Sequence, residues 1–183
     1  KKCVEFFANV AVVTALKAED KLTMEHISKE YGITEECLNA YNSAAKYKYE
    51  CGAYDIAENM LDNYLKVATN SAARWGRLAS RILTDNVDGA LLDLLAIKRE
   101  VDETRSASPV EQLHMRAWVL HWSLFVVFRK SDRQDRVSAS EFFNSRSYVQ
   151  TMQNLCPWLL KYYTVSIISA PTKKSYTMRE VMG

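Results

Sequence analysis

The sequence predicts an all-α protein built from consecutive helical hairpins, and three observations support this fold class. The chain has only 5 Gly and 3 Pro among its 183 residues, whereas average usage would give about 13 and about 9. Apolar residues recur at helical spacing through most of the chain. Strand-like alternation is almost absent outside those windows. Sandwiches, barrels and nucleotide-binding α/β folds use glycine in their turns, so the composition disfavours all three classes.

The composition is that of a globular protein without a membrane span. Hydrophobic residues make up 48% and charged residues 25% of the chain, and the net charge is +2, values that fit neither a disordered chain nor a membrane bundle. The pI of about 8.3 lies below about 9, the usual lower bound for domains that bind nucleic acid through their overall charge. The four cysteines are far apart and form no C-x-x-C pair, which indicates reduced thiols and predicts a cytoplasmic protein.

We divide the chain into three segments. Residues 1–33 are predicted N-terminal helices, 34–170 a helical-repeat domain, and 171–183 the start of a truncated C-terminal segment. The repeat domain is predicted to contain hairpins near 34–66, 71–102 and 108–170. Because the chain begins without Met and stops within a new periodic stretch, we expect a fragment of a longer protein.

The first hairpin has clear boundaries. Thr34 is a suitable N-cap, and Glu35 and Glu36 in the first turn favour a helix start through the helix dipole. Gly52 is the expected left-handed residue at the helix end. The second helix follows at once and carries a predicted apolar face of Ile56, Ala57, Met60, Leu61, Tyr64 and Leu65. So short a turn between two helices predicts an antiparallel pair.

The second hairpin repeats this pattern 33 residues later. Ala90 and Leu94 fall at the positions of Ala57 and Leu61 when the two second helices are aligned. A small residue at the alanine position permits close helix approach, as in tetratricopeptide-type repeats. The helix over 86–102 also carries apolar residues on more than one side, including Leu92 and Leu95, as expected for a helix between two neighbours. These patterns predict a right-handed solenoid of tetratricopeptide-like hairpins.

The third hairpin begins at a capping box, Ser108-Pro-Val-Glu111, with proline at the first helical position. The helix that follows is apolar nearly all round, so we expect it to run through the middle of the fold. A charged loop follows over 129–136, and Ser138 with Glu141 suggests a second capping box. Further helices are predicted near 147–155 and 157–169, separated at Pro157.

The histidines and carboxylates do not form a recognisable reaction centre. Glu111-x-x-His114 has a spacing used in di-iron bundles, but such a site needs a second copy and two further glutamates. His121 lies among apolar neighbours and is predicted to be a hydrogen-bonded core histidine. Because the sequence also lacks a phosphate-binding glycine loop, we predict no catalytic residues, no cofactor, no metal and no small-molecule substrate.

Two residue stripes are candidates for partner contacts. Arg74, Arg77 and Arg81 lie on one helix face and could meet ribosomal RNA or an acidic protein. The alternative is that they pair with the acidic stripe of Asp55, Glu58 and Asp62 on the preceding helix. Trp118, Trp122 and Phe125 could stack on bases, but we expect a core stripe, in which Trp122→Ala would cost about 3–5 kcal/mol.

Four strings in this order and spacing resemble one known family. They are YKYECG (Tyr47–Gly52), WGRLASRIL (Trp75–Leu83), RAWVLHWSLFV (Arg116–Val126) and CPWLL (Cys156–Leu160). Together they resemble the e subunits of eukaryotic translation initiation factor 3, over roughly residues 31–165. Residues 1–30 and 171–183 and the 129–140 loop diverge from that family.

The resemblance implies a fold and a role that the residue patterns by themselves do not indicate. Family members are PCI-domain proteins, in which helical repeats precede a winged helix and subunits assemble in an arc. The resemblance also implies a non-catalytic scaffold subunit. Its partners would be other subunits of the complex and the small ribosomal subunit, which it would contact through ribosomal proteins or rRNA. No winged-helix pattern follows residue 170. The alternative is a PCI scaffold of a sister complex, the proteasome lid or the signalosome.

Overall fold

The computed structural model describes residues 2–104, 108–129 and 142–169, which contain helices joined by turns and no strand. They form ten α-helices and one 3-10 helix: α1 (Lys2–Ala8), α2 (Val10–Ala18), α3 (Met24–Tyr31), α4 (Glu35–Glu50), α5 (Tyr54–Val67), α6 (Ser71–Leu83), α7 (Val87–Glu103), α8 (Pro109–Val127), α9 (Arg146–Leu155), the 3-10 helix Pro157–Leu159, and α10 (Leu160–Ser169). The all-α prediction is confirmed. Helices that follow one another among the described residues pack against each other: α4 on α5, α5 on α6, α7 on α8, and α8 on α9.

The chain divides into two compact units, residues 1–86 and residues 87–183. The predicted division at residues 33 and 170 stays a prediction, and residues 171–183 lie outside the described part. The predicted loop over 129–136 is described only at Arg129, and the suggested capping box of Ser138 and Glu141 lies outside the described residues as well. Among the described helices, none combines the length and the apolarity needed to cross a bilayer.

In the first unit, local signals set the ends of α4 and α5 where the sequence predicts them. The Thr34 hydroxyl accepts a hydrogen bond from the Cys37 N–H at 3.3 Å, which satisfies one of the free donors of the first turn. Gly52 has φ +81°, the left-handed conformation predicted for it. The amide of Ala53 then donates to the Lys48 carbonyl at 3.0 Å, closing the turn into α5.

The first unit buries one apolar cluster drawn from α1 to α6. Its members are Cys3, Phe6, Phe7, Val13, Leu16, Ile27, Ile33, Leu38, Tyr41, Ala45, Leu61, Tyr64 and Ala73. The Phe7 and Tyr41 rings lie 5.1 Å apart between centroids and join α1 to α4. Ile56, predicted on the apolar face of α5, is 44% exposed. It precedes the fully buried Ala57 by one residue, and so lies about 100° away around the helix.

Gly76 of α6 lies close to the Leu61 side chain of α5. A Cβ atom at this position would lie 3.3 Å from the Leu61 Cδ1 atom. Leu61 is itself buried in the core of the first unit. A side chain at position 76 would therefore require the Leu61 side chain to shift by a few tenths of an ångström.

In the second unit, α7 buries the residues that the 33-residue repeat predicts. Ala90 and Leu94 are almost completely buried there, as Ala57 and Leu61 are in the first unit. Leu92 and Leu95, in contrast, are exposed by 69% and 46%. The repeat positions are thus equivalent in burial, whereas the solenoid and its handedness stay predictions.

A polar cluster joins α7, α8 and α9. Asp102 accepts from the Lys98 ammonium at 3.3 Å and from the Arg116 Nε–H at 3.2 Å. The Lys98 ammonium lies 4.5 Å from the centroid of the buried Tyr148 ring. Burial, followed by the charge of Asp102, raises the pKa of the Tyr148 hydroxyl above its ordinary value. Three helices of the second unit are therefore held by charge as well as by apolar packing.

The predicted start of α8 is confirmed, but its predicted burial is wrong on one side. The Ser108 N–H donates to the Glu111 carboxylate at 2.7 Å, and the Glu111 N–H donates to the Ser108 hydroxyl at 3.3 Å. The buried face consists of Val119, Leu120, Ser123, Val126 and Val127. Trp118 and Phe125 are 59% and 60% exposed, so α8 is not buried on all sides as the sequence predicts. The predicted break at Pro157 is confirmed as a 3-10 turn between α9 and α10.

Candidate interaction sites

The predicted arginine stripe lies on α6 and faces acidic side chains of α5. The Arg77 Nη1 atom is 2.9 Å from the Asp62 Oδ1 atom. Arg81 approaches two carboxylates, through Nε at 3.2 Å from Glu58 and through Nη2 at 3.6 Å from Asp62. The sequence left open whether the arginines contact a partner or pair with the acidic stripe of the preceding helix. The contacts of Arg77 and Arg81 with Glu58 and Asp62 match the second alternative.

Glu58 is the centre of this cluster. Besides Arg81, its carboxylate accepts from the Thr84 hydroxyl at 2.9 Å and from the Asn86 side-chain amide at 2.7 Å. The Glu58 and Arg81 side chains are only 17% and 14% exposed. Shielded, charge-assisted hydrogen bonds of this kind are stronger than those between neutral groups. Through these hydrogen bonds, Glu58 holds α6 and the turn after it against α5.

The Asp62 carboxyl is held in its ionised form. Burial opposes ionisation, but the hydrogen bond and charge of Lys66, followed by the charges of Arg77 and Arg81, outweigh it and lower the pKa of Asp62. The Lys66 ammonium lies 3.0 Å from Asp62, one turn along α5. Two carboxylates thus face two arginines and a lysine, an arrangement suited to holding helices together.

Arg74 lies on the same helix and is partly buried. The predicted partner or RNA contact of Arg74, Arg77 and Arg81 stays a prediction. Because Arg77 and Arg81 are 16% and 14% exposed in their side chains, much of their surface is turned away from solvent.

Glu111 and His114, the pair with di-iron spacing, make other contacts. The hydrogen bonds to Ser108, first to its backbone and then to its side chain, lower the pKa of the Glu111 carboxyl. The His114 Nδ1 atom lies 2.9 Å from the Val110 carbonyl. Within the described parts of the chain, no three His, Cys, Asp or Glu side chains converge in the way that a metal site requires.

His121 is hydrogen-bonded, as the sequence predicts, and is partly buried. Its Nδ1 atom lies 2.7 Å from the Ala117 carbonyl, and its Nε2 atom lies 3.2 Å from the Trp158 indole nitrogen. Because a carbonyl can only accept and an indole N–H can only donate, the neutral ring carries its proton on Nδ1. In this tautomer, His121 accepts a hydrogen bond from Trp158 and so connects α8 to the 3-10 helix.

The exposed aromatic residues of the second unit were not predicted from the sequence. Five of them form what we call the aromatic surface: Trp118, Phe125, Phe128, Trp158 and Tyr162, which are 36–60% exposed. Trp122 is partly buried and lies 6.3 Å from Phe125 between ring centroids. Since Trp122 is not fully buried, Trp122→Ala should cost less than the full cavity value of about 3–5 kcal/mol. The sequence did not predict this exposed side, because α8 carries apolar residues on every side and their spacing does not show which side is buried.

Comparison with known proteins relates the chain to one group. No family model matches the sequence. The chain is similar to the e subunit of eukaryotic translation initiation factor 3 from Pyricularia oryzae, at 34% identity over 162 residues, which cover 86% of this chain and 36% of that protein. The corresponding proteins of Yarrowia lipolytica and Emericella nidulans are 34% and 31% identical over 173 residues, covering 92% of this chain and 41% and 38% of theirs.

The chain spans about two-fifths of the length of the curated relatives it matches. The matches to two of these relatives extend beyond residues 31–165, because they cover 92% of the chain. Over about nine-tenths of its length, the chain is homologous to the e subunit of eukaryotic translation initiation factor 3.

Proposed function

We propose that this chain is part of a non-catalytic scaffold subunit of the eukaryotic translation initiation factor 3 complex. In this proposal it acts in the cytoplasm, binding other subunits of the complex and the small ribosomal subunit during translation initiation. The observation that carries the proposal is identity of 31–34% to the e subunits of three fungi over 86–92% of the chain.

The architecture supports a scaffold role. Helices adjacent in sequence pack on each other, as in helical-repeat proteins that present long surfaces to other proteins. We propose that the helices form a right-handed solenoid of tetratricopeptide-like hairpins, the repeat part of a PCI domain. The buried alanine and leucine pairs, Ala57 with Leu61 and Ala90 with Leu94, support this repeat.

Affinity purification tests the proposal. The tagged 183-residue chain is expressed in eukaryotic cells, and the proteins that copurify are identified by mass spectrometry and followed on sucrose gradients. We expect other subunits of the initiation factor and proteins of the small ribosomal subunit. Recovery of neither would overturn the proposal, and recovery in proteasomal or signalosome fractions would support the alternative sister complexes.

Direct contact of the arginine stripe with ribosomal RNA is a separate proposal within this role. The triple variant R74A/R77A/R81A and the unmodified chain are titrated with rRNA fragments at several salt concentrations. A true phosphate contact should weaken steeply with salt, and the triple variant should have a smaller salt dependence. Equal affinities of the triple variant and the unmodified chain for the rRNA fragments would exclude the stripe as an RNA site.

A further inference from the structure

Two cysteines that are far apart in the sequence come together in the first unit. Cys3 of α1 is buried, and Cys37 of α4 is partly buried and packs against the same apolar cluster. Their thiols are in hydrogen-bonding contact. The sequence does not predict this pair, because the two cysteines belong to different helices and form no C-x-x-C motif.

The packing of α1 against α4 brings the two thiols together. On α1, Cys3 and Phe7 are four residues apart, so they lie on the same face of the helix. On α4, Cys37 and Tyr41 have the same spacing. The Phe7 and Tyr41 rings are 5.1 Å apart between centroids. The thiol pair and the aromatic pair are therefore successive contacts along one line between the two helices.

The surroundings of Cys37 favour the thiolate, which is the reactive form of a cysteine. Cys37 lies in the first turn of α4, where the helix dipole stabilises negative charge, and its N–H donates to the Thr34 hydroxyl at 3.3 Å. Glu35 and Glu36 share this turn. Even so, the hydrogen bonds of Thr34, first of its side chain and then of its backbone, lower the pKa of the Cys37 thiol, and the charge of Lys2 adds to this effect. Because Cys37 is also partly exposed, a dissolved disulfide can reach it.

Cys3 is suited to the second step of a thiol exchange. Burial raises the pKa of its thiol, and the neighbouring Cys37 raises it further, so Cys3 is protonated at neutral pH and shielded from dissolved reagents. A mixed disulfide on Cys37 would place its sulfur directly beside the Cys3 thiol. An accessible thiol of low pKa next to a resolving cysteine is the arrangement of redox-sensing pairs.

We propose that Cys37 is modified by small disulfides of the glutathione class and that Cys3 converts the adduct into an intramolecular disulfide between Cys3 and Cys37. In the first step, the Cys37 thiolate attacks one sulfur of glutathione disulfide, the S–S bond of the reagent breaks, and a glutathione thiolate leaves. In the second step, Cys3 loses its proton to solvent and its sulfur attacks the Cys37 sulfur, so that the bond between Cys37 and glutathione breaks and a second glutathione thiolate leaves. The two protein thiols lose two electrons in total, which reduce the reagent to two glutathione molecules, and the two thiol protons balance the two thiolates released.

A metal site and inert packing are the alternatives to a redox pair. A structural zinc site needs four ligands, and no three His, Cys, Asp or Glu side chains converge among residues 2–104, 108–129 and 142–169. Buried cysteines often serve only as small apolar side chains, but Cys37 is partly exposed and its thiol contacts another thiol. In a reducing compartment, a disulfide of this kind is transient and redox-sensing.

Oxidation of the intact 183-residue chain tests the pair. The reduced chain is incubated with glutathione disulfide at neutral pH, the remaining thiols are blocked with iodoacetamide, and the peptides are identified by mass spectrometry without reduction. We expect a disulfide between Cys3 and Cys37 as the main product, reversed by dithiothreitol. The same oxidation in urea is a control, because in an unfolded chain shorter loops close more readily. There we expect Cys37 to pair mainly with Cys51, the cysteine closest to it in the sequence.

Three variants separate the two steps. In Cys3→Ala, the glutathione adduct on Cys37 should persist, because the resolving thiol is absent. In Cys37→Ala, Cys3 should stay reduced, because it is buried. Cys51→Ser is the matched control, since it removes an exposed cysteine outside the pair and should form the disulfide as the unmodified chain does. Circular dichroism should show that the variants remain helical, and Cys51→Ser with the unmodified chain still decides the proposal if Cys3→Ala does not fold.

Three results would overturn the proposal. The first is a glutathione adduct that persists on Cys37 of the folded, unmodified chain. The second is a different pair of cysteines as the main product in the folded chain. The third is a Cys37 thiol that stays reduced while the exposed Cys51 is modified. Because the oxidation needs no other protein, its outcome is independent of the proposed role in translation initiation.

Discussion

Glu58 illustrates how much a single side chain contributes to the packing of α6. Its carboxylate accepts hydrogen bonds from the Arg81 guanidinium, the Thr84 hydroxyl and the Asn86 amide. All three donors come from α6 or the turn after it. Because the carboxylate and the guanidinium are largely shielded from water, removing either leaves polar groups with fewer partners in a place where water replaces them poorly.

We therefore predict that Glu58→Ala lowers the free energy of unfolding by about 1.5–3 kcal/mol, the range for hydrogen bonds to charged groups. Urea unfolding followed by circular dichroism measures this loss. The control is Glu50→Ala, which removes an i,i+4 pair with Lys46 whose side chains are 60% and 79% exposed. Exposed pairs contribute little, so the control should match the unmodified chain. A Glu58→Ala variant as stable as the control would contradict the shielded role of Glu58.

Asp62 makes the stability of the first unit depend on pH. Its pKa in the folded chain lies below the unfolded value of about 3.9. The ionised carboxylate therefore stabilises the fold above that value, and this contribution is lost as the pH falls through the lowered pKa. We predict that Asp62→Asn is less stable than the unmodified chain at neutral pH and that the difference shrinks in acid. Urea unfolding at neutral and acidic pH tests this, and a difference independent of pH would contradict it.

At the scale of the element, the helix ends follow from local chemistry. The side chains of Asn9, Thr34, Asn70 and Ser108 each accept from a backbone N–H in the first turn of the helix that they precede. These bonds join residues three apart in the chain. They need no tertiary neighbour, which is why capping residues can be identified in a sequence.

We predict that Ser108→Ala destabilises the second unit by about 1 kcal/mol, the usual cost of losing an N-cap. Thermal unfolding of the chain provides the measurement. Thr23→Ala is a matched control, because Thr23 precedes α3 without a side-chain hydrogen bond to its first turn. The loss at Thr23 should be smaller than at Ser108. Equal losses would mean that the capping box of Ser108 and Glu111 adds nothing to the stability of α8.

At the scale of the whole molecule, the chain consists of two compact units. The first has its own apolar cluster, to which all of α1 to α6 contribute at least one buried residue. The second contains the polar cluster around Asp102 and the aromatic surface. Each unit thus combines buried apolar packing with charged groups that join neighbouring helices.

We predict that residues 1–86 expressed alone fold into a helical unit, because the cluster of 13 buried residues lies entirely within them. Circular dichroism should show a helical spectrum and a cooperative thermal transition, although a unit of this size is only marginally stable. A helical spectrum that decays gradually with temperature, without a transition, would show that the first unit depends on the rest of the chain.

The sequence by itself determined the fold class, most helix ends and the family resemblance. Low glycine content, helical periodicity and caps act through neighbours in the chain, so they can be recognised without a structure. The turn at Gly52, the capping box at Ser108 and the break at Pro157 are examples. The repeated alanine at 57 and 90 belongs here too, because a buried small residue is needed wherever helices approach closely.

Only the tertiary structure decided which partners the arginines have and which side of α8 is buried. Arg81 and Glu58 are separated by 23 residues, and their pairing depends on the packing of α6 against α5. For α8, apolar side chains occupy every direction around the helix, so periodicity has no preferred side. The packing of α7 and α9 against it selects Leu120 and Val126 for the interior and leaves Trp118 and Phe125 in solvent.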